Sequence, residues 1–184
     1  KGLVLPPKVA ETQIVIVPIL FDKTKDKVMK VVQKLADKIS KNHRVHIDAR
    51  EDYSPGWKFN EWEMKGIPLR IEVGPRDLEN KTVTVSRRDT GEKQTLPIVG
   101  LDKEVSLIID QIHNDMLSKA RSFLKESIVE VKNLKEATKA FKKKKMVIAP
   151  WCGTPECELE FKNKSNGAKS LNSPLEGHSI KKGE

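Results

Sequence analysis

The chain has 184 residues and carries 35 Lys and Arg against 26 Asp and Glu, a formal net charge of +9. That length suits one domain of ordinary size with a small appendage, and no run approaches the roughly 18 apolar residues of a membrane-spanning helix. A basic balance fits a polyanionic partner, and it fits a lysine-rich solvated surface equally well. Residues 1–12 read as an extended lead-in, because Pro6-Pro7 prevents a helix. Gln13 to Ile19 is a short, continuous, β-branched run, the pattern of a strand buried on both faces. From Asp26 to Lys41 the apolar residues Val28, Val31, Val32, Leu35, Ala36 and Ile39 recur at three-and-four spacing, which predicts an amphipathic helix. Arg44 to Asp48 alternates and predicts a second strand, so strand, helix, strand argues for a crossover and a parallel pair.

Residues 55–77, PGWKFNEWEMKGIPLRIEVGPRD, mix Trp, Phe, acids and bases too closely for a plain core element. They read as a loop or short helix braced by a strand over Pro68–Val73, a plausible surface for unstacked bases. Lys81–Val85 and Lys93–Pro97 flank Arg88-Asp89-Thr90-Gly91-Glu92, a hairpin signal. Val105, Ile108, Ile109, Ile112, Met116, Ala120 and Leu124 mark a long helix over Leu101–Leu124. The expected fold class is α/β, a mixed sheet of about five strands flanked by helices.

Past residue 127 the texture changes. Leu134–Lys145 is a basic helix, Met146–Pro150 one short strand, and a small α+β domain is expected over 127–184. From Asn163 onward Ser, Asn, Gly and Lys dominate, which predicts a poorly ordered tail. Cys152 and Cys157 are too few for a disulfide framework and suit a reducing cytosol, so the expected location is cytoplasmic. Their four-residue gap lies at the wide end of zinc-pair spacing, with two of the usual four ligands present and His178 the nearest histidine. No phosphate-binding G-x-x-x-x-G-K-[ST] loop occurs, and no carboxylate pair sits with a His, so no catalytic residue is expected here. Neither end looks like a natural terminus: Lys1 is not Met and Lys181-Lys182-Gly183-Glu184 closes no element, so the chain reads as an excised piece.

The 55–77 stretch, the opening KGLVLPPKVA and the late APWCGTPECE together resemble, in order, the C-terminal part of class II prolyl-tRNA synthetases of the archaeal and eukaryotic type. The resemblance implies a lead-in over 1–12 from a missing catalytic domain, an anticodon-binding domain over 13–126, and a truncated zinc-type domain over 127–184. It implies a parent proline–tRNA ligase that uses ATP and Mg²⁺, with zinc held in part by Cys152 and Cys157. It also implies tRNA(Pro) as partner, a homodimeric full-length enzyme, and a piece that stays monomeric and binds RNA without catalysing. Proline codons are CCN, so each proline anticodon carries two guanines. A guanine offers N1–H and N2–H₂ to a carboxylate and O6 or N7 to a base. The family's base-reading positions fall on Phe59, Glu63, Arg70, Arg76 and Asp77. Lys58, Lys65, Lys81, Arg87 and Arg88 are the expected phosphate contacts, which position RNA without reading it.

Each residue has a plainer reading. Trp57 and Trp62 read as packing residues, Glu61 and Lys65 as a helix-surface pair, Arg70 and Glu72 as a local charge pair, and Asp77 as a cap. Two other functions fit the same elements. One is an anticodon-type domain of a glycyl-, threonyl- or histidyl-type synthetase or a polymerase accessory subunit. The other is a zinc-stabilised interaction module.

Overall fold

A computed structural model describes residues 2–172. The chain divides into two units, Lys1–Ser118 and Lys119–Glu184.

The first unit holds a five-stranded sheet. Strand β1 (Ile14–Pro18) is buried at every position, as its unbroken β-branched run requires. Helix α1 (Lys25–Ile39) buries Val28, Val32, Leu35, Ala36 and Ile39, the face predicted by their spacing. It leads to β2 (Val45–Ile47), which pairs parallel to β1. Helix α2 (Pro55–Met64) crosses to β3 (Leu69–Val73), on the other side of β1 and again parallel. A six-residue helix α3 (Pro75–Asn80) turns into the antiparallel pair β4 (Thr82–Arg87) and β5 (Lys93–Pro97). The sheet order is β2-β1-β3-β4-β5, a mixed sheet with two parallel and two antiparallel pairings. The hairpin expected around Asp89-Thr90-Gly91 forms as predicted.

The two-residue period of a strand sorts side chains between the sheet's faces. Ile14, Ile16, Leu69, Ile71, Val73, Val83 and Val85 share one core with α1 and with α4 (Leu101–Ser127), through Leu101, Val105, Ile108, Ile109 and Ile112. On the other face Val15 and Val17 meet Trp62 and Ile67, with Phe59 at the edge.

The lead-in lies against the end of α2, where Leu3 N–H donates to Met64 O and Leu5 N–H to Gly66 O, each at 3.2 Å. Gly66 has φ +76°, and a Cβ there would stand 2.7 Å from Leu3 Cβ, so the turn admits only glycine. Arg44 fixes the rest of the lead-in by donating to the carbonyls of Pro7, Ala10 and Glu11.

The second unit contains a parallel pair, β6 (Ile128–Glu130) and β7 (Met146–Ile148), joined through α5 (Leu134–Lys142). Helix α6 (Pro155–Lys164) follows, with Thr154 as N-cap and Pro155 in its first turn. Phe161 of α6 meets Phe141 edge-on at 6.1 Å. Strand β6 and helix α6 were not expected from sequence. The tail predicted to be loose from Asn163 is ordered at its start, because α6 runs to Lys164 and its C-cap Ser165 is buried. Residues 173–184 of that tail, His178 among them, lie outside the described residues.

Candidate nucleic-acid interface

The mixed segment at 55–64 is a helix because Ser54 caps it, its side chain accepting from Trp57 N–H, and Pro55 supplies a preset φ in the first turn. Its inward and lateral stripes, each spaced i, i+4, do different work. Lys58 and Trp62 point inward to Asp48, while Phe59 and Glu63 stand beside β3.

On the lateral stripe the charges form a closed set. Arg70 donates from Nη1 to Glu63 Oε1 at 2.8 Å, and from Nε and Nη2 to Glu72 Oε1 at 3.1 and 3.0 Å. Lys93 Nζ reaches the same Glu72 oxygen at 3.3 Å. The Arg70 guanidinium lies 4.1 Å from the Phe59 ring centre, and Lys93 Nζ lies 5.8 Å from it. Arg70 and Glu72 are buried, while 44% of the Glu63 side chain and 54% of the Lys93 side chain are open to solvent. Two anions and two cations thus compensate each other, which makes their burial tolerable. A cleft of about 140 Å³ opens among Glu63, Arg70, Ser86, Arg88, Gly91 and Lys93. Its exposed rim offers a carboxylate acceptor and an ammonium donor beside an aromatic ring, the set that meets a nucleobase edge and face.

The five expected base readers do not gather at one place. Glu63 and Arg70 line this cleft, and Phe59 lies behind it, its ring against the Arg70 guanidinium. Arg76 and Asp77 sit beyond the end of β3, beside a shallower groove of about 530 Å³. Asp77 acts as a cap: its Oδ2 accepts from Gly74 N–H at 2.8 Å. The charge pair read between Arg70 and Glu72 is present, as is the Glu61–Lys65 pair at 2.8 Å. Sequence reasoning missed Lys93. Its signal lies in register: Lys93 pairs with Ser86, and Ser86 pairs with Arg70, which places all three on one sheet face.

Two of the expected phosphate contacts need correction. Lys58 is only 3% exposed and its Nζ donates to the Asp48 carbonyl at 3.2 Å, so the ammonium holds the β2–α2 connection and is closed to phosphate. Arg87 pairs with Leu69 in the β3–β4 ladder, on the face opposite Arg70. Its guanidinium is buried against Asp89 and Asp115, at 2.8 and 2.7 Å, and these partners hold it firmly charged. Arg88 Nε donates to the carbonyls of Leu3 and Glu63, tying the lead-in to α2. Lys65 and Lys81 are exposed, the latter in a left-handed conformation that ends α3.

Trp62 is a packing residue whose Nε1–H donates to Asp48 Oδ2 at 2.8 Å. Arg50 grips the same carboxylate, and these bonds hold Asp48 well below the usual carboxylate range, the Arg50 hydrogen bond being the larger cause. The packing role does not extend to Trp57. It is 44% exposed and stacks on Tyr53 at 4.0 Å, with the Arg50 guanidinium close to both rings.

In the second unit Thr154 joins the two cysteines. Its hydroxyl contacts Cys152 Sγ at 3.4 Å and accepts from Cys157 N–H at 3.3 Å. The Thr154 hydroxyl pulls the Cys152 thiol below its ordinary range, and the neighbouring Cys152 pushes Cys157 up. No group of three or more metal-ligating side chains occurs among the described residues. Two thiols are fewer than the four ligands a tetrahedral zinc usually takes, and His178 lies outside those residues.

Comparison with known proteins gives a consistent picture. A family described as "Anticodon binding domain" matches residues 13–106, and one described as "Prolyl-tRNA synthetase, C-terminal" matches 134–184. A proline–tRNA ligase 2 of Clostridioides difficile is 47% identical over 90% of this chain and 34% of its own length. The cytoplasmic proline–tRNA ligase of Arabidopsis thaliana is 40% identical over 100% of this chain and 36% of its own. A prolyl-tRNA synthetase structure from Cryptosporidium parvum, complexed with L-proline and AMP, superposes with a TM-score of 0.86 at 41% identity, over 95% of this chain and 38% of that one. The chain thus spans about a third of the length of the curated relatives it matches.

Proposed function

The chain belongs to the anticodon-binding family, in the form carried by the C-terminal part of prolyl-tRNA synthetases, and on that premise we propose that the cleft between α2 and β3 reads a guanine of the proline anticodon. Glu63 accepts from guanine N1–H and N2–H₂, Lys93 donates to O6 or N7, and Arg70, backed by the Phe59 ring, forms the floor. The observation that carries this reading is the closed set of Glu63, Arg70, Glu72 and Lys93 over the Phe59 ring, open to solvent only at one carboxylate and one ammonium. A guanine satisfies both of those groups at once. Adenine presents an N6–H₂ donor where guanine has its O6 acceptor, and it lacks the N1–H donor.

Lys65 and Lys81, both exposed, supply phosphate contacts that strengthen binding at low salt without reading sequence. The parent protein is a cytoplasmic, homodimeric proline–tRNA ligase that uses ATP and Mg²⁺ on a separate catalytic domain. The AMP and L-proline in the Cryptosporidium relative support that chemistry. Cys152 and Cys157 contribute to a zinc set completed elsewhere in that parent.

The test is a titration of the 184-residue chain with a proline-tRNA anticodon stem-loop and with the same loop carrying adenines in place of both guanines. The guanine loop binds at least tenfold tighter, and equal affinity for the two loops rejects the reading.

A further inference from the structure

Most of the chain's excess of Lys and Arg over Asp and Glu falls in Lys119–Glu184, the second unit. Within that unit the charge gathers on one face of α5. Ala137 and Ala140 are buried, and Leu134, Thr138 and Phe141 are half-buried, with Phe141 against Phe161. Lys135, Lys139 and Lys142 recur at i, i+4 and i+7 on the opposite, exposed side, and Lys143 continues the stripe at the C-cap. Their ammonium groups make no hydrogen bond or ion pair among the described residues. The acid on this helix, Glu136, is engaged at its start, where the carboxylate accepts from Lys132 N–H and from the Asn133 amide.

The turn after α5 adds a second observation. Lys145 N–H donates to Ala140 O at 3.2 Å and Lys144 N–H to Phe141 O at 2.8 Å, the paired bonds of a Schellman cap. Lys144 stands at the left-handed position of that cap, with φ +57°, where glycine is the ordinary residue and a Cβ costs stability. The helix dipole accounts for cations in the last turn, not for an exposed lysine beyond it in place of glycine.

The face is cationic without being apolar or aromatic. It has no ring to stack a base, no guanidinium fork to grip a base edge, and no apolar border to enter a lipid surface. Lysines at i and i+4 stand about 6 Å apart along the helix axis, a row of point charges suited to the row of charges on a phosphate backbone.

We propose that Lys135, Lys139, Lys142, Lys143 and Lys144 form a second RNA surface, one that holds backbone phosphates and reads no base. It goes beyond the guanine reading and shares with it only the premise that this chain binds RNA.

The test titrates the 184-residue chain, over a range of salt, with an RNA duplex of unrelated sequence that has no anticodon loop. Lys135→Gln, Lys139→Gln, Lys142→Gln and Lys143→Gln together lower the slope of log affinity against log salt by about 3, at roughly 0.7–0.9 for each lost phosphate contact. At low salt the affinity falls about tenfold or more. Arg at the same positions preserves both. The charge-matched control replaces Lys27, Lys30, Lys34 and Lys38 of α1 by Gln, exposed lysines that stand among Asp26 and Asp37, and leaves the slope unchanged. Lys144→Gly raises the unfolding temperature and flattens the slope by about 1, a combination that a structural role does not produce. An equal loss in the α1 control means that net charge alone matters and overturns the proposal. An unchanged slope in the α5 variant overturns it too, as does a Lys144→Gly chain that gains stability and keeps its full RNA affinity. Vesicles of phosphatidylserine and phosphatidylcholine run beside the duplex. If the α5 variant loses vesicle binding and keeps RNA binding, the face is a membrane contact and the proposal falls. The guanine and adenine anticodon loops separate the two readings. Equal affinity for those loops rejects the guanine reading alone when the duplex slope falls as stated, and a kept guanine preference with an unchanged duplex slope rejects only this proposal.

Discussion

The two faces of the five-stranded sheet are made by the same strands and end differently. On one face α1 and α4 cover the strands, and the contacts are apolar from Ile14 to Val85. On the other, α2 covers only the β1 side, through Trp62 and Ile67 on Val15 and Val17. Over β3–β5 that face carries Arg70, Glu72, Ser86 and Lys93 instead. One face is sealed mainly by packing, with the buried Arg87–Asp89–Asp115 set at its margin, and the other is held by compensating charge. Packing contributes through lost water contact and is blind to what lies outside. A compensated charge set contributes less to stability but keeps exposed acceptors and donors for a partner.

The largest expected effect breaks the sealed face. Ile71→Ala removes a fully buried side chain and leaves a cavity, at a cost of about 2–5 kcal/mol in urea unfolding. The folded fraction keeps its guanine preference. A shifted preference would mean that the two faces are not independent.

Next comes the open face. Glu63→Gln and Lys93→Met each weaken binding of the proline anticodon loop by about 1–3 kcal/mol and narrow the gap between guanine and adenine loops. Their unfolding midpoints stay close to wild type, because both side chains are about half exposed. A large loss of stability with unchanged binding would reverse the roles assigned to the faces.

The Asp48 node sits where α2 is fastened, and it is tested by pH. The native carboxyl is held low by Arg50 and Trp62, so the unfolded state binds the proton more readily. The stabilisation is present above the unfolded carboxylate value of about 3.9 and fades as pH falls below it. The stability difference between wild type and Asp48→Asn is therefore flat above about pH 5 and shrinks toward pH 3. Chemical denaturation across that range reads it out, and a gap that widens in acid contradicts the assignment.

The smallest effect belongs to Lys65→Ala. It weakens guanine and adenine loops equally, flattens the salt dependence, and changes unfolding by less than about 0.5 kcal/mol.

Much of this fold was legible. The unbroken apolar run of β1, the three-and-four spacing of α1 and α4, and the Gly91 hairpin each fix a local conformation that packing then confirms. Helix α6 was hidden because PECELEFKNK has no apolar stripe, although Thr154 before Pro155 is a capping signal. At the site, residue type was legible and access was not. Lys58 and Lys65 look alike in sequence, yet one is enclosed against Asp48 and the other is open. Arg87 and Arg88 are neighbours, and the strand's alternation sends the Arg87 guanidinium to the sealed face. Lys93 becomes visible only when two ladders are read together.

Gly66 has a consequence for how such a site is mapped by mutation. Any side chain there meets both an unfavourable φ and the Leu3 Cβ, so the lead-in and the end of α2 must part. A saturation scan selected for RNA binding would rank Gly66 beside Glu63 and Arg70, although glycine has no side chain to offer a base. Ranking variants by binding normalised to folded protein separates them: Gly66 drops out of the list and Glu63 remains.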